Sequence, residues 1–439
     1  MGEKRRYAQV GCGGRSGMYT KAICRTYPET CEIVGICDRN EGRMRVKNEQ
    51  IASFGGRPVP MYPAEDFDRM IAETRPDHVI VTTGPDVTHS DYIVRTMELG
   101  VDVVTEKPMT TDEVRCRKIL RTIRDTGRHC QVTFNYRYAP HRSQVKEILD
   151  SGAIGKVLSV DFCWPLDTRH GADYFRRWHR MRGNSGSLLV HKATHHFDLV
   201  NWWIDDRPEE VFCHASRQYY VPATAERLGL ADHGERCLDC PVKDACPFYL
   251  DLAGNEHLKK LYLDHEQEDG YFRDRCVFAP EIDIWDNMSV TVRYRRGAVM
   301  SYFLHSSSPW EGYQIAFNGS KGRLEHGSAQ FSYISGADEE APGELKKEGT
   351  YVTLMPHFTP PEEFQAVPVR TAAGGHGGGD DPLLADIFDP DAPPDPLHRK
   401  ADHVDGAYSI LVGVAAYHSI DTGQAVRIAD LLGDAPIED

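Results

Sequence analysis

The first 135 residues are organised by short runs rich in valine and isoleucine, YAQVG, EIVGICD, DHVIVTT, VDVVTEK and CQVTFN, set apart by segments of helix length. Runs that stay apolar, where a half-exposed strand would alternate, belong to a parallel sheet covered by helices on both faces. A doubly wound α/β domain over residues 1–135 is therefore predicted. Its first strand runs into VGCGGRSGMY. Gly11, Gly13 and Gly14 permit a tight strand-to-helix turn, and Arg15 and Ser16 stand where the helix opens, so backbone N–H groups there can reach a pyrophosphate. The second strand ends in Asp38, placed to accept hydrogen bonds from a ribose diol. A carboxylate at that position repels a 2′-phosphate, which favours NAD over NADP; the adjacent Arg39 works in the opposite direction.

At 439 residues the chain exceeds one ordinary core, and roughly 150 residues per domain suggests two or three. After residue 136 the texture changes to a helix, HRSQVKEILDSG, a strand, VLSVDFCW, a long helix, and then alternating runs. NMSVTVRYRRGAVMSYFLHSS and GYQIAFNGSKGRLEH each read as a hairpin. Residues 136–439 are expected to form an α+β domain with an antiparallel sheet, interrupted by a cysteine-bearing insertion at 221–280. Residues 335–400, rich in Gly, Pro and Asp, read as a long excursion that is functional or disordered, and VDGAYSILVGVAAYHSI as a closing helix. The net charge of −15 argues against nucleic acid and anionic membrane as partners. No secretory leader and no membrane span are evident, and most cysteines sit in apolar runs as reduced thiols do. The expectation is a cytoplasmic protein acting on a small molecule.

VTEKPMTTDEV places Glu106, Lys107 and Pro108 at the end of a parallel strand, where the ligand crevice of a doubly wound sheet lies. Together with VGCGGRSGMY, TTGPDVTH, FNYRYAP, GAIGKV, HHFDLVNWW, GYQIAFNGSKGRL and SIDTG, it resembles the glucose-fructose oxidoreductase and inositol dehydrogenase family (Gfo/Idh/MocA) over nearly the whole chain. The resemblance implies a Rossmann domain, a C-terminal α/β domain with an open antiparallel sheet, and a dinucleotide between them held in part by Thr83, His89, Glu106 and Lys107. It implies oxidation or reduction of a secondary carbohydrate hydroxyl, with Lys107 near the nicotinamide as a catalytic residue. His191 and His195 fall on the family's Asp-x-x-x-His positions, so an imidazole replaces the usual aspartate at His191. A homodimer or homotetramer is the expected assembly.

Taking hydride from an alcohol carbon requires a base for the hydroxyl proton, and imidazole suits neutral pH. In HKATHHFD, on a continuous helix, His191, His195 and Asp198 share one face, and Lys192 and His196 another. Three readings compete. The two histidines form a metal site, though without an evident third ligand; they are core histidines, with Asp198 holding His195; or, on the family match, His195 carries the proton and His191 assists it or binds substrate. Substrate contacts are expected from Tyr136 and Arg137 in FNYRY, from Tyr174, Arg177 and Trp178 in ADYFRRWHRMRGN, and from His376 in AAGGHGGGDD. Cys237, Cys240, Cys246 and Cys276 carry a metal-like spacing, read first as a structural zinc site, then as no metal or an iron–sulfur cluster. The leading function is NAD-dependent oxidation or reduction of a secondary hydroxyl of a sugar or glycoside. The alternatives are a redox-neutral, NAD-dependent glycoside hydrolase working through a transient 3-keto intermediate and elimination, and a non-enzymatic dinucleotide sensor.

Overall fold

The computed structural model describes residues 3–336, 342–435 and 437. Strands β1 (Arg5–Val10), β2 (Cys31–Asp38), β3 (Met61–Pro63), β4 (His78–Val81), β5 (Asp102–Thr105) and β6 (Cys130–Val132) form a parallel sheet in the order β6-β5-β4-β1-β2-β3. Successive residues feed two different cores: Ala8, Val10, Val79 and Val81 lie in one cluster, and Tyr7, Ile36, Ile80 and Val104 in another. This two-sided burial is why the runs carry no alternation.

The second sheet contains β7 (Val157–Asp167), β8 (Pro208–Ser216), β9 (Asn287–Tyr294), β10 (Val299–Ser308), β11 (Glu311–Gly319), β12 (Gly322–Gln330), β13 (Leu345–Pro356) and β14 (Gln365–Val367) in the order β14-β13-β12-β11-β7-β10-β9-β8, with Val426–Arg427 added beyond β8. Its pairs are antiparallel except β7 with β10. Strands β9 and β10 alternate buried and exposed residues, so one face is covered and the other open. On the covered face lies the helix Ala193–Ile204, with Phe197 against Tyr302 at 5.0 Å between ring centroids. The long helix expected there is broken: Leu188–His191 and Ala193–Ile204 are separate, joined at Lys192.

The far end of the chain returns to the first domain. Where a long excursion was expected, residues 335–400 contain β13, β14 and the helix Asp380–Phe388. That helix buries Leu383, Leu384, Ile387 and Phe388 in the core beneath β1 and β2, and Arg5 donates to the Phe388 carbonyl at 2.7 Å. Ala401–Asp402 then pairs antiparallel with β6, and Asp402 caps the buried helix His403–Thr422. Among the described residues no helix is long and apolar enough to cross a membrane.

The insertion at 221–280 has a small apolar cluster of its own, Leu250, Leu252 and Leu258. It docks on the first domain through Arg43–Asp269 at 2.6 Å, Asn40 Nδ2 to the His265 carbonyl at 2.9 Å and Gly42 N–H to Glu268 at 2.8 Å. Cys237, Cys240, Cys246 and Cys276, read from the sequence as metal ligands, all lie in this insertion, where the Cys276 thiol feels the other three. All four cysteines are free; Cys240 Sγ accepts from the Gly234 N–H, and Cys276 Sγ faces His233 Nδ1 at 3.3 Å. Arg236 also ties the segment together, pairing with Glu266 at 2.9 Å and with the buried Asp274 at 2.8 Å.

The helix His403–Thr422 passes so close to the Leu188–His191 segment that a Cβ at Gly413 would lie 2.2 Å from the Leu189 carbonyl oxygen. Gly413→Ala should therefore destabilise the fold by about 1–3 kcal/mol, read as a lower denaturation midpoint. An unchanged midpoint would contradict this packing.

Candidate active site

A cleft of about 860 Å³ runs from the C-terminal ends of β1, β2 and β4 to His191, Lys192 and His195, at the start of the helix that covers the second sheet. Its first end is the glycine turn. Gly11 has a φ of +91°, and a Cβ there would fall 2.5 Å from the Thr82 carbonyl. Only glycine lets β1 pass so close to the loop after β4. Gly13 and Gly14 open the short helical turn Gly14–Ser16, and the Gly14 N–H donates to the Tyr262 hydroxyl of the insertion at 3.1 Å. At the end of β2, Asp38 accepts from the Cys12 N–H at 2.6 Å and the Asn40 N–H at 2.9 Å. These are the features a dinucleotide needs: backbone amides at a helix start, one of them held by the Tyr262 hydroxyl, and a fixed carboxylate on the next strand. Arg39, which would attract a 2′-phosphate, faces Asp269 at 3.3 Å.

The middle of the cleft is built on the loop after β5. Glu106 is held by Arg15 at 2.7 Å and by the Tyr19 hydroxyl at 2.7 Å. Arg15 also reaches Asp380, which binds Asn135 Nδ2 at 2.6 Å and His376 Nδ1 at 2.9 Å. His89 spans two loops, with Nε2 on the Thr83 carbonyl at 2.9 Å and Nδ1 on that of Pro108 at 2.8 Å. Lys107 Nζ lies 3.2 Å from the His191 carbonyl oxygen and 3.5 Å from His191 Nε2. Burial pushes its pKa down to about 8, with Asp86 and Glu106 working the other way.

His191, at the end of its short helix, hydrogen-bonds through Nδ1 to Asp86, a buried acid in the loop after β4. His179 packs edge-to-face on His191 at 4.1 Å between centroids and is itself stacked on Trp178 at 3.5 Å. Neither ring nitrogen of His179 has a partner. Asp86, His179 and His191 bring three ligand atoms within 4.8 Å, and as a donor set they could hold a cation. Lys107 and Arg177, however, impose positive charge on all three. The arrangement thus favours a relay in which Asp86 fixes the His191 ring. His195 stacks on Tyr136 at 4.0 Å with 9° between planes, and its Nδ1 is buried without a partner, leaving Nε2 toward the cleft. Burial, reinforced by Lys107 and Lys192, holds the His191 and His195 rings well below the usual imidazole range, so both are neutral at pH 7.

Of the residues expected from the sequence, Gly11, Gly13, Gly14, Arg15, Asp38, Arg39, Thr83, His89, Glu106, Lys107, Tyr136, Tyr174, Arg177, Trp178, His191, His195 and His376 line this cleft. Ser16 does not; it is buried with its hydroxyl on the Gly13 carbonyl. Arg137 is also corrected. It turns away from the cleft into a bidentate pair with Asp198 at 2.5 and 2.8 Å and a contact with Asp405 at 3.2 Å. Asp198 is therefore committed to Arg137 and does not hold His195. Lys192, expected on another face, lines the cleft because the helix breaks there. Sequence reasoning missed Asp86, Tyr262 and Tyr333. Asp86 had a signal, its place in TTGPDVTH directly after a parallel strand; Tyr262 and Tyr333 had none.

A buried arginine that only ties elements together should behave as a stability residue. Arg137→Ala leaves Asp198 uncompensated and should cost about 3–5 kcal/mol, while NADH still binds whatever fraction remains folded. A normal denaturation midpoint with lost substrate affinity would return Arg137 to the substrate site.

Residues 5–134 match the family model for the oxidoreductase family NAD-binding Rossmann fold, and residues 146–428 that for the oxidoreductase family C-terminal alpha/beta domain. The protein YteT of Bacillus subtilis (strain 168) is 37% identical over 96% of this chain and 98% of its own length. An inositol 2-dehydrogenase of Rhizobium meliloti (strain 1021) is 30% identical over 47% of this chain and 57% of its own. The crystal structure of the WlbA dehydrogenase from Bordetella pertussis in complex with NADH and UDP-GlcNAcA, at 18% identity, superposes with a TM-score of 0.63 over 97% of this chain and 99% of that one. These likenesses set aside the reading as a non-enzymatic sensor. The chain belongs to the Gfo/Idh/MocA oxidoreductase family.

Proposed function

We propose that the protein oxidises, and in reverse reduces, a secondary hydroxyl of a sugar or glycoside, with His195 as the proton carrier. The observation that carries this reading is the convergence of Lys107, His191 and His195 on one wall of the cleft that begins at the glycine turn. NAD, when bound, supplies the hydride acceptor. The preference for NAD over NADP rests on Asp38 and on Asp269, which occupies Arg39.

The residues divide the work of the proton. His195 starts neutral, so its Nε2 can accept the hydroxyl proton as the carbon gives up hydride. Lys107 holds the same oxygen from the side of β5, and Asp86 keeps the His191 ring oriented beside it. Tyr136 backs the His195 ring, and Tyr174, Trp178 and His376 offer flat or polar surfaces to a sugar ring. The redox-neutral hydrolase reading uses the same set. It is favoured by one feature, the insertion, which docks beside the dinucleotide end of the cleft through Arg43–Asp269 and Asn40–His265.

The deciding experiment incubates the protein with NAD and nitrophenyl glycosides and free sugars, following NADH and released aglycone together. NADH formed in step with substrate consumed, without aglycone, is the expected result; aglycone released without net NADH identifies the hydrolase. Lys107→Met and His195→Ala should each lower turnover by about 10²–10⁴-fold, and near-normal turnover in either would remove that residue from the mechanism.

The pH dependence follows from Lys107. Its charge is the strongest of the neighbouring charges that suppress the basicity of His195. Lys107 titrates at about 8, so raising the pH through that value removes the charge and frees His195 to take a proton. Oxidation measured as kcat/KM should rise across this interval, and Lys107→Met should flatten the step. A profile that falls there in the native enzyme would contradict the coupling.

A further inference from the structure

Lys192 is a buried ammonium without an anion. It is 3% exposed and lines the cleft. Its Nζ donates to the Tyr136 hydroxyl at 3.1 Å and lies 5.1 Å from the Trp164 ring centroid and 5.7 Å from that of Tyr136. The acid whose charge reaches it, Glu311, is turned instead onto His170 Nδ1 at 2.6 Å and the Asp167 N–H. The other acids facing the cleft are also taken: Glu106 and Asp380 by Arg15, and Asp86 by His191. A buried charge is costly unless it is paired, and here the described residues supply hydroxyl and aromatic partners but no counter-ion.

The ammonium stands at the substrate end. Trp164 lies on β7, in the floor of the second domain, whereas the pyrophosphate end is the glycine turn under Tyr262. Tyr136, Tyr174 and Tyr333 surround that end with ring faces and hydroxyls, which suits a pyranose. Two other cations lining the cleft are engaged: Lys107, which feels the charge of Lys192, lies 3.2 Å from the His191 carbonyl oxygen, and Arg177 is paired with Asp173 at 3.3 Å. One ammonium among aromatic rings matches a singly charged carboxylate better than a phosphate, which recruits arginine forks or a helix N-terminus. Resting on the reading of the site as a sugar oxidoreductase, we propose that Lys192 anchors a carboxylate of the substrate, so that the sugar oxidised is a uronic acid or a glycoside of one.

The test compares matched methyl hexopyranosiduronates, methyl hexopyranosides and hexose 6-phosphates as substrates with NAD. The uronide should exceed the neutral glycoside in kcat/KM by about 100-fold, Lys192→Arg should keep most of that preference, and Lys192→Gln should bring the ratio close to one while NADH fluorescence shows an intact cofactor site. Equal use of uronide and neutral glycoside by the native enzyme overturns the assignment without need of a variant. So does a preference for the phosphate, or one that survives Lys192→Gln. If none of the sugars yields NADH, the oxidoreductase reading on sugars fails separately, and Lys192 is then judged by binding to the NADH complex. Binding of the uronide alone supports the anchor; equal binding of both glycosides, or of neither, overturns it.

Discussion

The bidentate pair between Arg137 and Asp198 fixes the geometry on which the site depends. It joins the turn after β6 to the helix Ala193–Ile204, and through Asp405 to the start of the helix His403–Thr422. Tyr136 precedes Arg137 and faces the other way, into the cleft, where its ring stacks on His195. The guanidinium that locks the helix therefore also sets the plane of the ring that backs His195. A buried ion pair adds little net stability against an apolar alternative, because desolvation offsets the attraction. Its effect here is orientation, since a rotation of the helix would separate both donors from Asp198 together.

Within that frame, charge is distributed so that the histidines stay neutral. His179 and His195 are buried and His191 is half-buried, and all three feel Lys107. Lys107 holds its proton more tightly than these imidazoles do, and its charge is one of the causes that keep them neutral. The aspartate common in the family is displaced rather than lost. Asp86 comes from the first domain and reaches His191 from the side opposite Lys107. The imidazole at His191 thus extends a carboxylate's influence to a point a bare aspartate would occupy.

What the sequence disclosed was local in origin. The parallel strands, the glycine turn, Asp38, the Glu106-Lys107 pair and the hairpins β9–β10 and β11–β12 all follow from residues close together in the chain. The errors came from contacts made at long range. Arg137 looked like a pocket wall because its neighbour is one, and only the approach of Asp198 and Asp405 decides which side it faces. Lys192 was assigned away from the site by ideal helical periodicity, which the break before Ala193 cancels. PLLADIF carried apolar residues enough for a packed helix, but its glycine- and proline-rich surroundings masked them.

The insertion links cofactor exchange to a segment remote from the chemistry. Tyr262 takes the Gly14 N–H, which a pyrophosphate at the glycine turn also requires. Both cannot have it, so a pyrophosphate taking that amide would displace the tyrosine hydroxyl. Tyr262 is not free to leave alone: its ring lies 5.8 Å from Tyr271, Arg43 stands over both rings at 5.6 Å, and Arg43 is tied to Asp269. Movement at the pyrophosphate is therefore passed to the same aspartate that faces Arg39 beside the ribose end. One docked segment thus borders both the glycine turn and the ribose end of the cleft.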